Sequence, residues 1–331
     1  MMRPAYGSWV EVGSTERPTS ETAERRPLWR RRLLVGIVGA AVLLTGVLVA
    51  AWVTAPAPAR PRQVVLGRLR DVGGRFVPLR AISPTLQRAI VATEDERFYR
   101  HHGIDLIGLS RAFAYDASHL TLSQGGSTLT EQLAKVLYLG GNDDSPWRKL
   151  QDAAVAIRLE SRLSKRTILE LYLNSVYFGD GAYGVEAASE RYFGVSPSRL
   201  DLARASVLAG IIQDPSGYDP LLQPTLSRQR QVQVLTSMVR DGYTREDQAL
   251  AALHDPLPLG NGSALPPIEA QIVAPDTSFA RLPLVAGLTL LLVGLASFII
   301  ARRIQRPVAF ALAAAVGIAS LTLIARSVKV A

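Results

Sequence analysis

Residues 93–105, which read TEDERFYRHHGID, place two adjacent carboxylates beside aromatic and histidine side chains. Glu94 and Asp95 are followed at helical spacing by Phe98 and His101, and a glycine turn comes next. A packed aromatic wall and a hydrogen-bonding neighbour raise or hold the pKa of a carboxylate, as general acid–base chemistry requires. Taken alone, the segment also fits a solvated acidic pair at a helix end, which is the commoner arrangement.

Three further blocks follow this segment. The first is GGSTLTEQLAK at residues 125–135, the second contains Arg148, Lys149 and Asp152, and the third is SKRTILELYLNSVYFGDGAYG at residues 164–184. In this order and at these separations, the four blocks resemble the glycosyltransferase domain of the peptidoglycan glycosyltransferases. That domain is the family-51 transglycosylase module of class A penicillin-binding proteins and their monofunctional relatives. Four ordered motifs are far more specific than any one of them.

The resemblance extends from Leu79 to Tyr243 and implies a fold. The family has a mainly α, lysozyme-like domain with a smaller lobe near the membrane. No S-x-x-K serine motif occurs in the chain, so we expect the transpeptidase half of the bifunctional relatives to be absent.

The resemblance also implies a reaction, the polymerisation of lipid II into β-1,4 glycan strands with inversion. Glu94 stands at the position of the general base that activates the acceptor hydroxyl, and Asp152 stands at the position of the family's second catalytic glutamate. Lys135, Arg148 and Lys149 match the positions that contact the departing diphosphate. The other substrate-binding positions implied by the resemblance are Asp95, Phe98, His101, Ser127, Thr128 and Gln132.

Several of these residues also have a purely structural interpretation. The basic residues could form a solvated face, and Phe98 could be core packing. Thr128 and Glu131 have the T-x-x-E spacing of a helix capping box, which is compatible with a role at the site. A metal site built from His101 and His102 alone is disfavoured. We expect no tightly bound cofactor, and a divalent cation, Mg or Mn, at the diphosphate is left open.

Three residues depart from the family pattern on the donor side. Glu131 replaces the usual glutamine, Val136 replaces the usual asparagine, and Asp152 replaces a glutamate whose side chain is one bond longer. These changes leave open a non-catalytic relative that binds lipid-linked glycan or acts as a scaffold. A lysozyme-like hydrolase is a third option, but glycan cleavage has no diphosphate for the basic residues to bind.

Helical periodicity dominates the middle of the chain. Residues 146–163 predict a helix with Leu150, Ala153, Ala154 and Ile157 on its apolar face and the charged residues of the second block off that face. Ser164 predicts the N-cap of the next helix, and the glycines of residues 178–184 predict a break. Later helices are predicted at residues 202–212 and, as the final amphipathic helix, at residues 228–240. No alternating strand pattern occurs.

Apolar runs near both ends predict membrane spans. Arg30 to Arg32 precede the apolar run from Leu33 to Val53, which has the roughly 20 residues that a spanning helix needs and exceeds a typical signal core. The positive-inside rule then places the middle of the chain outside a bacterial plasma membrane. The predicted segments are a cytoplasmic tail (1–32), an anchor (33–55), a linker (56–78), the glycosyltransferase domain (79–254), a linker (255–281), a membrane helix (282–300), a cytoplasmic loop (301–307), a membrane helix (308–325) and a tail (326–331).

The charge distribution limits the classes of binding partner that we expect, and the absence of cysteine excludes disulfide bonds. The net charge of +9 is concentrated near the predicted membrane boundaries, which suits anionic lipid headgroups, and no groove-reading helix suggests nucleic acid. The chain has no cysteine, so an outer domain would depend on its hydrophobic core alone. The expected partners are lipid II, the growing glycan strand, membrane lipids and other membrane proteins of wall synthesis.

Overall fold

The computed structural model describes residues 28–111, 126–140 and 145–272. Within these ranges the secondary structure is almost entirely helical, as the sequence predicts. The helices are α1 (Leu28–Thr54), α2 (Pro61–Asp71), α3 (Pro84–Glu94), α4 (Leu129–Ala134), α5 (Pro146–Glu160), α6 (Lys165–Leu173), α7 (Gly184–Phe193), α8 (Leu202–Ile211), α9 (Pro224–Arg240) and α10 (Glu246–His254), and the strands are β1 (Leu257–Pro258) and β2 (Ala264–Leu265).

Helix α1 matches the predicted anchor. It is 27 residues long, and its segment Val35–Thr54 is long and apolar enough to cross a membrane. The chain divides into two units, one that ends at Ala50 and one that begins at Ala51. The predicted carboxyl-terminal hairpin at residues 282–325 and the tail before Leu28 lie outside the described residues.

Two groups of helices build the second unit around one hydrophobic core. Helices α3, α8 and α9 pack together, with Ile90, Leu208 and Val234 fully buried between them. Helices α4, α5 and α6 form the other group, to which Leu133 and Ile168 contribute buried side chains. The last turn of α3 belongs to the first group and α4 to the second, so the candidate base and its neighbours lie where the groups meet.

Helix α5 is rotated from the orientation that its sequence predicts. Its buried positions include Asp152, Val155 and Leu159, while Ile157, which was assigned to the apolar face, is 37% exposed. The prediction of the helix is confirmed, and of its assigned apolar face Ala154 is buried, Leu150 and Ala153 are half-buried and Ile157 is exposed. Because Asp152 interrupts the buried stripe, apolar periodicity alone pointed to a neighbouring face.

The glycine-rich segment after α6 makes a sharp turn, as predicted. Gly179 has φ +85°, and a Cβ atom there would lie 2.5 Å from the carbonyl oxygen of Pro215. A side chain at this position would therefore be strained by its backbone and blocked by the neighbouring loop.

Both predicted linkers contain folded structure. Helix α2 lies inside the predicted linker 56–78, with Val65 and Leu69 buried in the core. After the predicted final helix, the chain continues through α10 into the antiparallel pair β1–β2, whose Leu257 and Leu265 are buried. Folded structure therefore continues on both sides of the predicted domain 79–254. Apolar residues in these stretches pack into the core, which proline and glycine content cannot reveal.

Candidate active site

Helix α3 delivers Glu94 to the site. The helix begins at a cap in which the amide of Thr85 donates to Oγ of Ser83 at 3.3 Å, and Pro84 occupies the first turn, where an amide is not needed. The helix ends at Glu94, whose side chain is half-buried. The candidate base thus stands on the last turn of a helix that is held in the core by buried residues such as Ile90 and Val91.

Two hydrogen bonds connect Glu94 to a fully buried phenol. Nε2 of Gln132 donates to Oε2 of Glu94 at 2.9 Å. The hydroxyl of Tyr172 donates to Oε1 of the same glutamine at 2.8 Å. Gln132, which the resemblance assigns to substrate binding, therefore uses both ends of its amide inside the protein.

Several groups act on the Glu94 carboxyl. Burial raises its pKa, and the neighbouring charge of Asp95 acts in the same direction. The hydrogen bond from Gln132 and the positive charge of Arg230 oppose this rise. The net effect is a raised pKa, which strengthens a carboxylate as a proton acceptor.

Asp95 makes its hydrogen bonds with His101 and with the start of α4, and so connects the end of α3 to both segments. Its two carboxylate oxygens lie 3.0 and 2.9 Å from Nε2 of His101, and one of them accepts the amide of Leu129 at 3.0 Å. Leu129 is the first residue of α4. Asp95 is only 7% exposed, so the structure places it as a buried connector between α3 and α4.

Behind His101 lies a second buried ion pair. Nζ of Lys165 bonds to Oε1 of Glu160 at 2.6 Å and lies 3.5 Å from Nδ1 of His101, and Thr130 donates to the same glutamate oxygen at 2.6 Å. Phe98 is fully buried, with Nζ of Lys165 4.4 Å above its ring centroid. The burial of Phe98 fits core packing, and its predicted substrate-binding role stays a prediction. Both ring nitrogens of His101 already face protein groups, which fits its expected support of the fold.

The capping box predicted at the start of α4 is present. The amide of Glu131 donates to Oγ1 of Thr128 at 3.1 Å, and the amide of Thr128 donates to Oε2 of Glu131 at 2.7 Å. The Thr128 hydroxyl also donates to the carbonyl of Gly103 at 2.7 Å. Burial raises the pKa of Glu131, opposed by these capping bonds and by Lys149. The unusual glutamate is thus engaged in the cap, next to a cation.

Arg148 and Asp152 face each other one helical turn apart on α5. Nε of Arg148 lies 3.8 Å from Oδ1 of Asp152. The guanidinium also donates to the carbonyls of Leu139 and Gly140, at the end of the π-helical turn Lys135–Leu139 that extends α4. Asp152 is 8% exposed, so its carboxylate is buried beside Arg148.

The remaining basic positions lie nearer the surface. Nζ of Lys149 bonds to Oγ of Ser127 at 3.2 Å, and its side chain is exposed. Lys135 is half-buried at the start of the π-helical turn. The three charged residues of α5 do not point in one direction, because Arg148 and Asp152 turn inward while Lys149 turns towards Ser127.

A cavity of about 300 Å³ opens beside Glu94. Among the described residues, none of Lys135, Arg148, Lys149 and Asp152 lines it, although Lys149 reaches its wall through Ser127. The polar lining residues that bear most on the chemistry are Glu94, Glu96, Ser127, Gln213, Arg230 and Arg240.

Sequence reasoning missed the residues contributed by α9 and by the loop before it. Arg230 lines the cavity beside Glu94, and its guanidinium carbon lies 5.8 Å from the ring centroid of Tyr218. Arg230 and Ser237 are seven residues apart on α9, so they share a face, and this polar spacing was a usable signal. Gln213, just beyond α8, carried no comparable signal.

Comparison with known proteins identifies the family of this chain. Residues 62–239 match the family model described as Transglycosylase, so the chain belongs to the transglycosylase family. Penicillin-binding protein 2D of Bacillus subtilis is 38% identical over 231 residues, which cover 67% of this chain and 33% of that protein. A putative transglycosylase of Cupriavidus necator is 44% identical over 184 residues, 56% of this chain and 79% of that protein.

A third relative has a more specific name. The biosynthetic peptidoglycan transglycosylase of Nitrosospira multiformis is 43% identical over 145 residues, which cover 44% of this chain and 63% of that protein. The chain therefore spans a third of one of these relatives and most of the two others.

Proposed function

We propose that this chain polymerises lipid II into β-1,4 glycan strands by inverting glycosyl transfer. The observation that carries the proposal is the half-buried carboxylate of Glu94 beside a cavity, with a raised pKa and a hydrogen bond from Gln132. Membership of the transglycosylase family and the name of the Nitrosospira relative support the same reaction.

In the proposed step, Glu94 accepts the proton of the acceptor's 4-hydroxyl group. The acceptor oxygen forms a bond to the anomeric carbon of the donor, on the face opposite the diphosphate. The bond from that carbon to the diphosphate oxygen breaks, and the diphosphate leaves with the electron pair. A carboxylate with a raised pKa suits this role because it holds the transferred proton more firmly than an ordinary carboxylate does.

The diphosphate leaves as an anion, so it needs positive charge more than a proton. We place Lys149 and Lys135 at this role, with Arg148 beside them. Asp152 contacts Arg148 rather than the cavity, and in this proposal it acts by holding that guanidinium in place. The shorter side chain of aspartate is compatible with this contact.

No group of three or more histidine, aspartate or glutamate side chains in the described ranges is arranged to hold a metal. A cation carried by the diphosphate itself remains a proposal. Polymerisation assays with EDTA, followed by addition of Mg²⁺ or Mn²⁺, test it.

The family and α1 fit a membrane-anchored protein. We propose that the transglycosylase domain lies on the outer side, with three spans and a cytoplasmic hairpin loop, and that lipids and other wall-synthesis proteins are its membrane partners. Because the chain has no cysteine, single cysteines introduced at Glu190 and at Ser8 can report the topology. An impermeant maleimide should label the first but not the second in intact cells.

The catalytic proposal is tested with purified chain and lipid II. Glu94→Gln should lower the polymerisation rate by about a hundredfold or more, because general-base catalysis contributes roughly that much. Glu190→Gln, at an exposed position on α7, should polymerise like the unchanged chain. An unchanged chain that binds lipid II without polymerising it would contradict the proposal and favour the non-catalytic relative.

A further inference from the structure

We propose that Tyr172 is a positioning residue for Glu94, acting through the amide of Gln132 to keep the carboxylate ionised and fixed. This inference rests on the proposed function. Its basis is the continuous chain of hydrogen bonds from the Tyr172 hydroxyl to Gln132 at 2.8 Å and from Gln132 to Glu94 at 2.9 Å.

Tyr172 can influence the candidate active site only through the hydrogen bond that its hydroxyl group donates to Gln132. It lies on α6 and is fully buried in the core, so it cannot contact substrate. Burial raises its pKa well above the ordinary value, and the charges of Glu94 and Asp95 add to this effect. The phenol therefore keeps its proton and remains a hydrogen-bond donor.

A donating phenol fixes the direction of the Gln132 amide. With Oε1 accepting from Tyr172, the NH₂ group of the same amide must face Glu94, where it favours the ionised carboxylate. The reversed amide would place its carbonyl oxygen against the carboxylate, an arrangement that suits only a protonated Glu94. Tyr172 thus biases the amide towards the orientation that a general base needs.

The other groups that face Glu94 do not replace this effect. Arg230 on α9 also favours the ionised carboxylate, but through charge and without a hydrogen bond in the described structure. Asp95, the next residue in the chain, acts in the opposite sense. Gln132 is the described residue that donates a hydrogen bond to the Glu94 side chain, so its orientation matters directly.

Tyr172→Phe removes the hydroxyl and keeps the ring. We expect kcat to fall by about tenfold at acidic pH, as for the loss of one hydrogen bond acting on a charged group. The acidic limb of the pH–rate profile should move to higher pH, the rate should recover at alkaline pH, and KM for lipid II should change little. Gln132→Leu should behave alike, and the double variant should lose little more than Gln132→Leu alone.

Tyr192→Phe is the matched control. Tyr192 is equally buried, and its hydroxyl donates to the carbonyl of Phe178 at 2.9 Å, away from the cavity. Both substitutions remove one buried hydrogen bond, so both should lower Tm. Only Tyr172→Phe should move the pH limb. If the acidic limb of the pH–rate profile lay at the same pH in both variants and in the unchanged chain, the proposal would be overturned.

A second measurement separates this inference from the proposed function. The titration of the Glu94 carboxyl can be followed by infrared difference spectroscopy against Glu94→Gln, without any turnover. A shift to higher pH in Tyr172→Phe alone supports the positioning role even if the chain fails to polymerise lipid II. Active protein whose Glu94 titrates identically in all three forms refutes the positioning role and leaves the proposed function standing.

Discussion

The carboxylate of Glu94 experiences opposing influences that differ in kind. Burial favours the neutral form of the carboxyl group and does not depend on the orientation of any one neighbour. Gln132 and Arg230 favour the ionised form, and they do so only if they are correctly placed. The protonation state of the site therefore depends on two side chains from different helices. Each can be altered without changing the acid itself.

Arg230→Gln should make polymerisation more sensitive to acid. Removing the positive charge leaves burial less opposed, so the pKa of Glu94 rises further and the ionised fraction falls at a given acidic pH. The pH–rate profile with lipid II should show its acidic limb at higher pH, with a smaller loss at alkaline pH.

Arg230→Lys serves as the control because it keeps the charge. It should restore the acidic limb towards that of the unchanged chain. If the glutamine and lysine variants lost activity equally at every pH, Arg230 would act through packing against Tyr218 rather than through its charge.

Glu131→Gln should stabilise the domain at neutral pH. Burial raises the pKa of Glu131 in the folded protein, so the folded state binds protons more tightly than the unfolded state. Stability from such a group is present at low pH and declines as pH rises through the folded-state pKa. Glutamine can fill the same capping position without the charge.

The Tm of Glu131→Gln should therefore exceed that of the unchanged chain at pH 8. The difference should vanish below the ordinary glutamate pKa of 4.5. Thermal unfolding at both pH values checks this, and a gain that persisted in acid would assign it to something other than the carboxylate.

The start of α4 connects separate parts of the chain through hydrogen bonds. Its cap joins Thr128 to Glu131 within the helix and to Gly103 outside it, while Asp95 accepts the first helical amide. The six-residue helix is too short to be stable alone, so these bonds and its packing hold it in place.

Thr128→Ala should lower the free energy of unfolding by about 1–2 kcal/mol, since it removes an N-cap and leaves the Gly103 carbonyl without that donor. Urea denaturation measures the loss. Thr128→Ser keeps the hydroxyl and should retain most of the stability. Equal losses in both variants would point to the threonine methyl group instead.

The elements also show what the sequence could and could not predict. Helices α6, α8 and α9 and the cap at Thr128 follow from local signals, which operate within a few residues. The orientation of α5 does not, because Asp152 is buried through its pairing with Arg148, and that pairing depends on where the α4 segment ends. The placement of Arg230 beside Glu94 joins residues 136 positions apart, and no local pattern encodes it.

One buried arginine on α9 connects the segment around β1 and β2 to the interior of the domain. Arg228 is 1% exposed and donates to the side chain of Gln231 and to the carbonyls of Asp255 and Leu265. Burial lowers its pKa. The antiparallel pair at residues 257–265 is therefore secured to α9, and it forms part of the domain.

Arg228→Met should lower the free energy of unfolding by roughly 3 kcal/mol, because several buried acceptors lose their donor together. It should also open residues 255–272 to proteolysis. Arg199→Met, at an exposed position, should change neither property. Urea denaturation and limited proteolysis test both. Unchanged cleavage in Arg228→Met would show that the apolar residues alone hold the segment.

The mixed charge of the cavity wall has a pharmacological consequence. Carboxylates such as Glu94 and Glu96 line the same small volume as the guanidinium groups of Arg230 and Arg240. An apolar fragment would remove these charged groups from water and give no compensating contacts. Inhibitor searches should therefore favour compact, zwitterionic compounds whose amine and acid groups can pair with both kinds of charge.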